Sequence, residues 1–237
     1  MRAHAFAFEP GPQPQLQPSP EQRADLGDLR FRALMSADDW TSLPPAIRRR
    51  FSKRLAGGQT AVYVGEIVES RMSLAGWCLA QAARLIGGPL PLTRDPPLAR
   101  GSTACSHVPS VVTVTEDLGR GGQIWTRLYA RRRGFPQVIH SSKRFAGPTG
   151  LEEHVGRGVG MALTVYARDG ALVFRSDRYF IELFGRRFAL PRWLTPGTLY
   201  VTHAELPDNR FSFTLQIFHP RGGLIIRQMA IFREVVS

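Results

Sequence analysis

The chain has no apolar run near the ~18 residues that suggest a membrane-spanning helix, and its mean hydropathy is −0.15. Its start, "MRAHAFAFEPGPQPQLQPSPEQ", lacks the continuous apolar core of a secretory signal. A cytoplasmic protein without a transmembrane segment is therefore expected. Cysteine is scarce: Cys78 and Cys105 are the only two, and neither lies in a CxxC pair. They allow one disulfide at most, and thiols in a cytosolic chain are more often unpaired. The missing ligand pairs argue against a structural metal. No GxGxxG opens a strand–helix unit, and no GxSxG elbow or HExxH occurs. No cofactor is expected. Lysine is nearly absent, with Lys53 and Lys143 set against 29 arginines.

That last imbalance qualifies the charge. The formal net charge is +12 and the pI about 11.0, which by itself invites a nucleic-acid or membrane partner. Arginine in place of lysine, beside abundant Ala, Gly and Pro, is also what a GC-rich genome writes through codon composition. The only tight clusters are Arg48 to Arg50, Arg131 to Arg133 and Arg186-Arg187. Without a recognition motif, nucleic acid is not expected as a partner.

What is present is a two-part pattern. Residues 1–27 are Pro/Gln-rich and read as a disordered arm, because they carry too little apolar surface to offset ordering entropy. Residues 28–236 read as one domain, and 43% hydrophobic residues support a sizeable core without disulfides. Between 28 and 56, Phe31, Leu34, Met35 and Trp40, then Ile47, Phe51 and Leu55, recur at helical spacing. This predicts two short amphipathic helices, the second capped by Thr41 or Ser42 ahead of Pro44 and Pro45. "AVYVGEIVES" alternates as a strand. "RMSLAGWCLAQAARLIGG" predicts a helix ended by Gly87-Gly88, with Met72, Ala75, Leu79, Ala82 and Ile86 as its apolar stripe. Residues 89–109 read as a Pro-rich loop.

From residue 110 the period becomes two. Segments 111–117, 123–130, 137–145, 160–167, 171–183, 186–191, 199–206, 210–218 and 224–232 suit strands, separated by Gly-, Pro-, Asp- and Asn-rich turns. Asp169-Gly170 is a hairpin signal. No separator is long enough for a crossover helix, so the strands form an antiparallel meander. The expected class is α+β, mainly β: a curled or barrel-like sheet of about 9–10 strands, with two or three N-terminal helices covering one side or end. Gly156, Gly158 and Gly160 would supply bends, and "GRGVG" is a bend or bulge, since no helix follows it to cradle a phosphate. In "RFSFTLQIF", Phe211, Phe213, Leu215 and Ile217 should face inward and Ser212, Thr214 and Gln216 outward.

The blocks "LPPAIRRRF", "QIWTRLYA", "SSKRFAGPTGLEEHVGRGVGMALTV", "GALVFRSDRYFIELFGRRFALPRWLTPG" and "FSFTLQIFHPRGGLIIRQMAIF" together resemble the bacterial family called domain of unknown function 4166, over about residues 30–234. The resemblance implies no established activity and transfers no catalytic residue. It is similar to a module sometimes joined behind a nucleotide-binding reductase-like domain, which implies a separate reductase-like protein as a possible partner.

Candidate chemistry comes from a few residues. Glu152 and Glu153 are adjacent, so a strand points them to opposite faces. One facing inward would be a general base with a pKa raised by burial. The plain alternative is a surface pair or a Glu–Arg contact fixing a turn. His203 and Glu205 share one strand face, and His219 lies at a strand end. His-x-Glu is a start toward an acid–base or metal site, without a third ligand. The plain alternative is a cross-strand hydrogen-bonded histidine. Trp125, Arg127 and Tyr129 alternate on one face. They would line a pocket for an anionic aromatic ligand, or form an ordinary solvent-facing stripe.

Three functions are open at this point. The preferred one is a barrel-like module binding a small apolar or amphipathic ligand, with Trp125, Arg127, Tyr129, Phe211 and Phe213 as candidate contacts, accessory to a redox enzyme. The second is a metal-independent enzyme using Glu152 or Glu153 with His203 or His219. The third is an electrostatic binder of nucleic acid or anionic membrane, which requires the arginines to gather on one face.

Overall fold

The computed structural model describes residues 28–55, 57–85, 87, 107–131 and 134–235. The expected arm, most of the expected 89–109 loop, Gly88 and Cys105 lie outside these residues. Cys78 is an exposed free thiol.

Period-two patterning produces eleven strands: β1 (Thr60–Met72), β2 (Val108–Asp117), β3 (Gly122–Tyr129), β4 (Gln137–Arg144), β5 (Glu152–Gly156), β6 (Val159–Arg168), β7 (Ala171–Leu183), β8 (Arg186–Ala189), β9 (Thr198–Leu206), β10 (Arg210–His219) and β11 (Gly223–Val235). Every pairing is antiparallel. Neighbour pairs with neighbour, except that β9 pairs with β7 and leaves β8 as a flap on β7. Pairing of β1 with β11 and of β6 with β7 closes ten strands into a barrel. Closure satisfies the edges that an open sheet of this size would expose. Extra residues in β1, β5, β7 and β11 shift the register and supply the local bends. The β5–β6 turn holds Arg157 at φ 42° and Gly158 at φ 80°, so "GRGVG" is the bend expected of it.

β5 is the strand that periodicity missed. It is five residues long, and its alternation is broken by the shift between His154 and Gly156.

The helices depart from expectation in detail. Residues 28–55 form a short 3-10 turn, Arg32–Leu34, then α1 (Ala37–Ser42) and α2 (Pro45–Phe51). Ser36 caps α1 by accepting from the Asp39 N–H. Thr41 and Ser42 do not cap α2. Their hydroxyls donate back to the Asp38 and Asp39 carbonyls inside α1, and Pro44 occupies the α2 cap position without a side-chain bond. α3 (Leu74–Leu85) begins later than expected, because Arg71 and Met72 complete β1. Its buried face is Gly76 and Ala80, whereas Ala75 and Ala82 are exposed. The reason is close approach: a Cβ on Gly76 would sit 2.1 Å from the Ile225 carbonyl oxygen. Small residues therefore seat this helix on β11.

Two apolar clusters fill the barrel. Phe31, Trp40, Ile47 and Phe51 from the N-terminal segment pack with Leu163, Leu172, Phe174 and Val201 of β6, β7 and β9. Ala61, Tyr63, Val112, Trp125, Phe211 and Phe232 pack across β1, β2, β3, β10 and β11. Phe213 touches both clusters and is only partly buried. Phe211 and Ile217 are buried on the inward face, with Phe213 and Leu215 packed against the core beside them. Ser212, on the opposite face, is nevertheless buried, whereas Thr214 and Gln216 are half-buried.

Candidate functional site

Strand alternation sends Ser141 and Lys143 of β4, Glu153 of β5 and Trp125, Arg127 and Tyr129 of β3 to the interior. The β4–β5 register sets Lys143 opposite Glu153. Lys143 Nζ donates to Glu153 Oε2 at 3.0 Å, and Arg127 Nη2 lies 3.7 Å from Glu153 Oε1. Arg127 Nη1 also donates to Ser141 Oγ at 3.1 Å. The Lys143 ammonium lies 4.9 Å from the Trp125 ring and 5.5 Å from Phe174, so its charge faces π-systems where no carboxylate reaches.

These contacts fix the protonation states. Burial pushes the Glu153 carboxyl up, but Lys143, Arg127 and a hydrogen bond from Ser141 pull it down further, to about 2. The raised pKa expected for an inward glutamate is reversed, because that expectation counted burial without the two cations. Burial lowers the Lys143 ammonium although Glu153 opposes it. His203 is pushed well below its ordinary value by burial, then by Arg50, Lys143 and Arg127, so it is neutral at pH 7.

Around His203 lies an aromatic cage. Phe51, Phe213 and Phe174 have ring centroids 5.1, 5.3 and 5.9 Å from it. Arg50 enters from α2, stacks 3.7 Å over the Phe211 ring and pairs with Glu205 at 3.3 Å. Arg50, Tyr63, Trp125, Arg127, Tyr129, His203, Phe211, Phe213 and Gln228 border one internal gap. In it the centre of a water molecule can move through about 20 Å³, room for about one water. Three polar groups at this gap are buried without a hydrogen-bond partner among the described residues: His203 Nδ1, Gln228 Nε2, and Nε and Nη1 of Arg50. Buried polar atoms are normally satisfied, so this concentration is informative.

Sequence-predicted candidates thus separate. Trp125, Arg127, Tyr129, Phe211, Phe213 and His203 come together at the gap. The solvent-facing reading of the β3 stripe is overturned, because the barrel wall turns that face inward; Trp125 and Tyr129 are both buried. Glu153 lies behind Arg127. Glu152 faces the outer wall, where Arg187 donates to it at 2.5 and 3.1 Å and His154 Nε2 lies at 3.3 Å. This is a Glu–Arg contact, but one that ties β5 to β8 rather than one that fixes a turn. His219 ends β10, where its Nδ1 accepts from the Arg221 N–H, in a turn remote from His203. Among the described residues, no three His, Cys, Asp or Glu side chains gather as metal ligands.

Sequence reasoning missed Lys143, Arg50, Ser141 and Gln228. Lys143 had a signal: it is one of two lysines in an arginine-rich chain, in phase with Ile139 and Ser141. Arg50 had none, because the run Arg48 to Arg50 does not say which member points inward.

The residues 43–232 match the family model described as "Domain of unknown function (DUF4166)". The chain belongs to that family, whose architecture here is a closed ten-stranded antiparallel barrel. No curated protein and no solved structure matches it.

Proposed function

We propose that residues 28–236 form one domain, a cytoplasmic binding module whose interior takes a small amphipathic ligand bearing an acidic group. The observation that carries this reading is the set of unpartnered buried polar groups on Arg50, His203 and Gln228 around one aromatic-walled gap. A ligand supplies what these groups lack. Its apolar body lies against Phe211, Phe213 and Trp125, and its acid meets the unpartnered donors of Arg50 and Gln228, with Arg127 beside them on the same gap. The gap as it stands suits about one water, so entry requires the partly buried Phe213 to turn aside. A reductase-like partner, suggested by the family resemblance, would act on or deliver what the barrel holds. Acid–base catalysis fits less well, because Glu153 is held ionised by two cations.

The test is a series of alkyl and aryl carboxylates with their matched alcohols, read by thermal midpoint and intrinsic tryptophan fluorescence. Saturable shifts with carboxylates only, weakened in Arg127→Gln and altered in Phe213→Ala, are expected. Equal response to alcohols, or no saturable response, overturns the reading.

A further inference from the structure

Strand direction defines two ends of the barrel. β1, β3, β5, β7 and β10 run toward one rim, whose described hairpin connections are residues 130–131, 134–136, 157–158, 184–197 and 220–222. At the other end lie residues 118–121, 145–151, 169–170 and 207–209. Among the described residues the first set carries six arginines, Arg131, Arg157, Arg186, Arg187, Arg192 and Arg221, and no Asp or Glu, whereas the second carries one arginine and two aspartates, Asp169 and Asp208. The acids nearest the basic rim are occupied: Glu182 pairs with Arg187 and Asp177 with Arg178. The hairpin connections at this rim are therefore arginine-rich and free of acids, whereas at the other end the arginines come with Asp28, Asp38 and Asp39 from the N-terminal segment.

Large apolar side chains crowd the same rim. Phe184 is fully exposed, Trp193 is 78% exposed, and Phe188, Leu194 and Phe218 are exposed as well. The segment after Trp193 and Leu194 meets the end of β10, since a Cβ on Gly197 would sit 2.2 Å from the Phe218 carbonyl oxygen. Phe135 stands exposed on the β3–β4 connection of the same rim. A soluble surface seldom shows so many large apolar groups together. Nucleic acid would account for the arginines, but Leu194 and Leu224 beside the rings offer no stacking face. Aromatic side chains among cations match the membrane–water interface, where rings sit at headgroup depth and arginines meet lipid phosphates.

We infer that this rim docks the barrel on an anionic phospholipid surface, with Phe184 and Trp193 entering the interface and Arg186, Arg192 and Arg221 meeting headgroups. The inference does not rest on interior ligand binding, although a barrel seated this way would hold its gap beside a source of amphipathic molecules.

The experiment is flotation of the full chain with vesicles of equimolar phosphatidylcholine and phosphatidylglycerol, against phosphatidylcholine alone. Binding to the anionic vesicles only, weakened by salt, is expected. Arg186→Gln with Arg192→Gln should weaken it roughly fivefold per charge. Phe184→Ser with Trp193→Ser should weaken it on the order of tenfold or more, as lost apolar insertion requires. All four side chains are exposed, so thermal midpoints should be unchanged. Trp193→Phe should keep binding but lose fluorescence quenching by brominated lipid. Arg127→Gln should bind vesicles normally, so a failed interior site leaves this result standing. Absence of anionic vesicle binding, or binding indifferent to the aromatic pair, overturns the inference. So does capture by single-stranded RNA or DNA at physiological salt that displaces vesicles and survives Phe184→Ser with Trp193→Ser.

Discussion

Glu152 and Glu153 are adjacent in the chain and occupy different physical worlds. Both are buried, at 1% and 6% exposure. Glu152 lies under the outer wall, bound by an Arg187 whose side chain is 42% exposed. Glu153 lies inside, facing Lys143 and Arg127 at 4% and 13%. The outer cation stays partly hydrated, so there the desolvation cost falls on the carboxylate alone. The inner cations have left water and depend on one carboxylate. The two walls therefore answer different questions: what closes the barrel, and what the barrel could hold.

The sharpest way to separate them is to neutralise each carboxylate. Glu153→Gln leaves two buried cations uncompensated and should destabilise by ~3–5 kcal/mol, read from a urea midpoint. Lys143→Met with Glu153→Leu leaves only Arg127 uncompensated and should cost less than loss of the Glu153 charge alone. A double variant that loses the sum of the singles would mean the pair is not coupled, and the inner wall would then resemble the outer one.

Acid gives an independent measure. Glu153 is held at about 2, below the ordinary carboxylate value of 4.5. A carboxyl with a lowered folded-state pKa contributes stability that is present above its unfolded pKa and lost as pH falls through the folded one. The loss should therefore run from about pH 4.5 to about pH 2 and amount to about 3 kcal/mol. Glu153→Gln should flatten that part of the profile. Lys143 gives a slope of the same sign at the alkaline side: its lowered value means the folded chain binds fewer protons, so stability should rise as pH increases toward 10.5. An acid profile that is the same in Glu153→Gln as in the parent would place the titration elsewhere.

The difference between the walls also explains what could be read in advance. Alternation in β3 and β10 places Trp125, Arg127, Tyr129, Phe211 and Phe213 on shared faces, because a strand period of two is local. Whether a face turns in or out depends on closure, and closure joins Val62 to Val235, a pairing no short window contains. The inner ion cluster needs the β4–β5 register, and β5 was too short and bulged to register as a strand. The α3 face was misjudged because larger side chains were taken as the contact, whereas Gly76 admits the backbone of Ile225. The adjacent glutamates were correctly assigned to opposite faces. Their protonation was not legible, since it depends on cations brought by other strands.

On the outer wall, Glu152→Gln should cost ~1–3 kcal/mol. The amide keeps one acceptor for Arg187 and places an NH₂ where Glu152 Oε1 or Oε2 met a donor. The loss stays below that of Glu153→Gln because Arg187 regains water. His154 is a second reporter. Burial and then Arg144 lower its pKa, although Glu152 opposes this. Removing the carboxylate should lower it further, visible in an imidazole NMR titration. An unmoved His154 would detach it from Glu152.

The smallest effect belongs to Glu182, at the outer cluster's edge. Its carboxylate accepts from Arg187 Nη2 at 2.7 Å, and the two side chains are 31% and 42% exposed. Both ions remain largely hydrated, so the attraction is screened and holding two long side chains in one geometry offsets much of it. Glu182→Gln should therefore cost ~0.2–1 kcal/mol and shrink further in high salt. Arg187 would still hold Glu152, so the flap formed by β8 should stay seated. If Glu182→Gln instead matched Glu152→Gln, the outer cluster would be a cooperative network spanning β5, β7 and β8. The contrast between a hydrated outer wall and a desolvated inner one would then fail where it should be strongest.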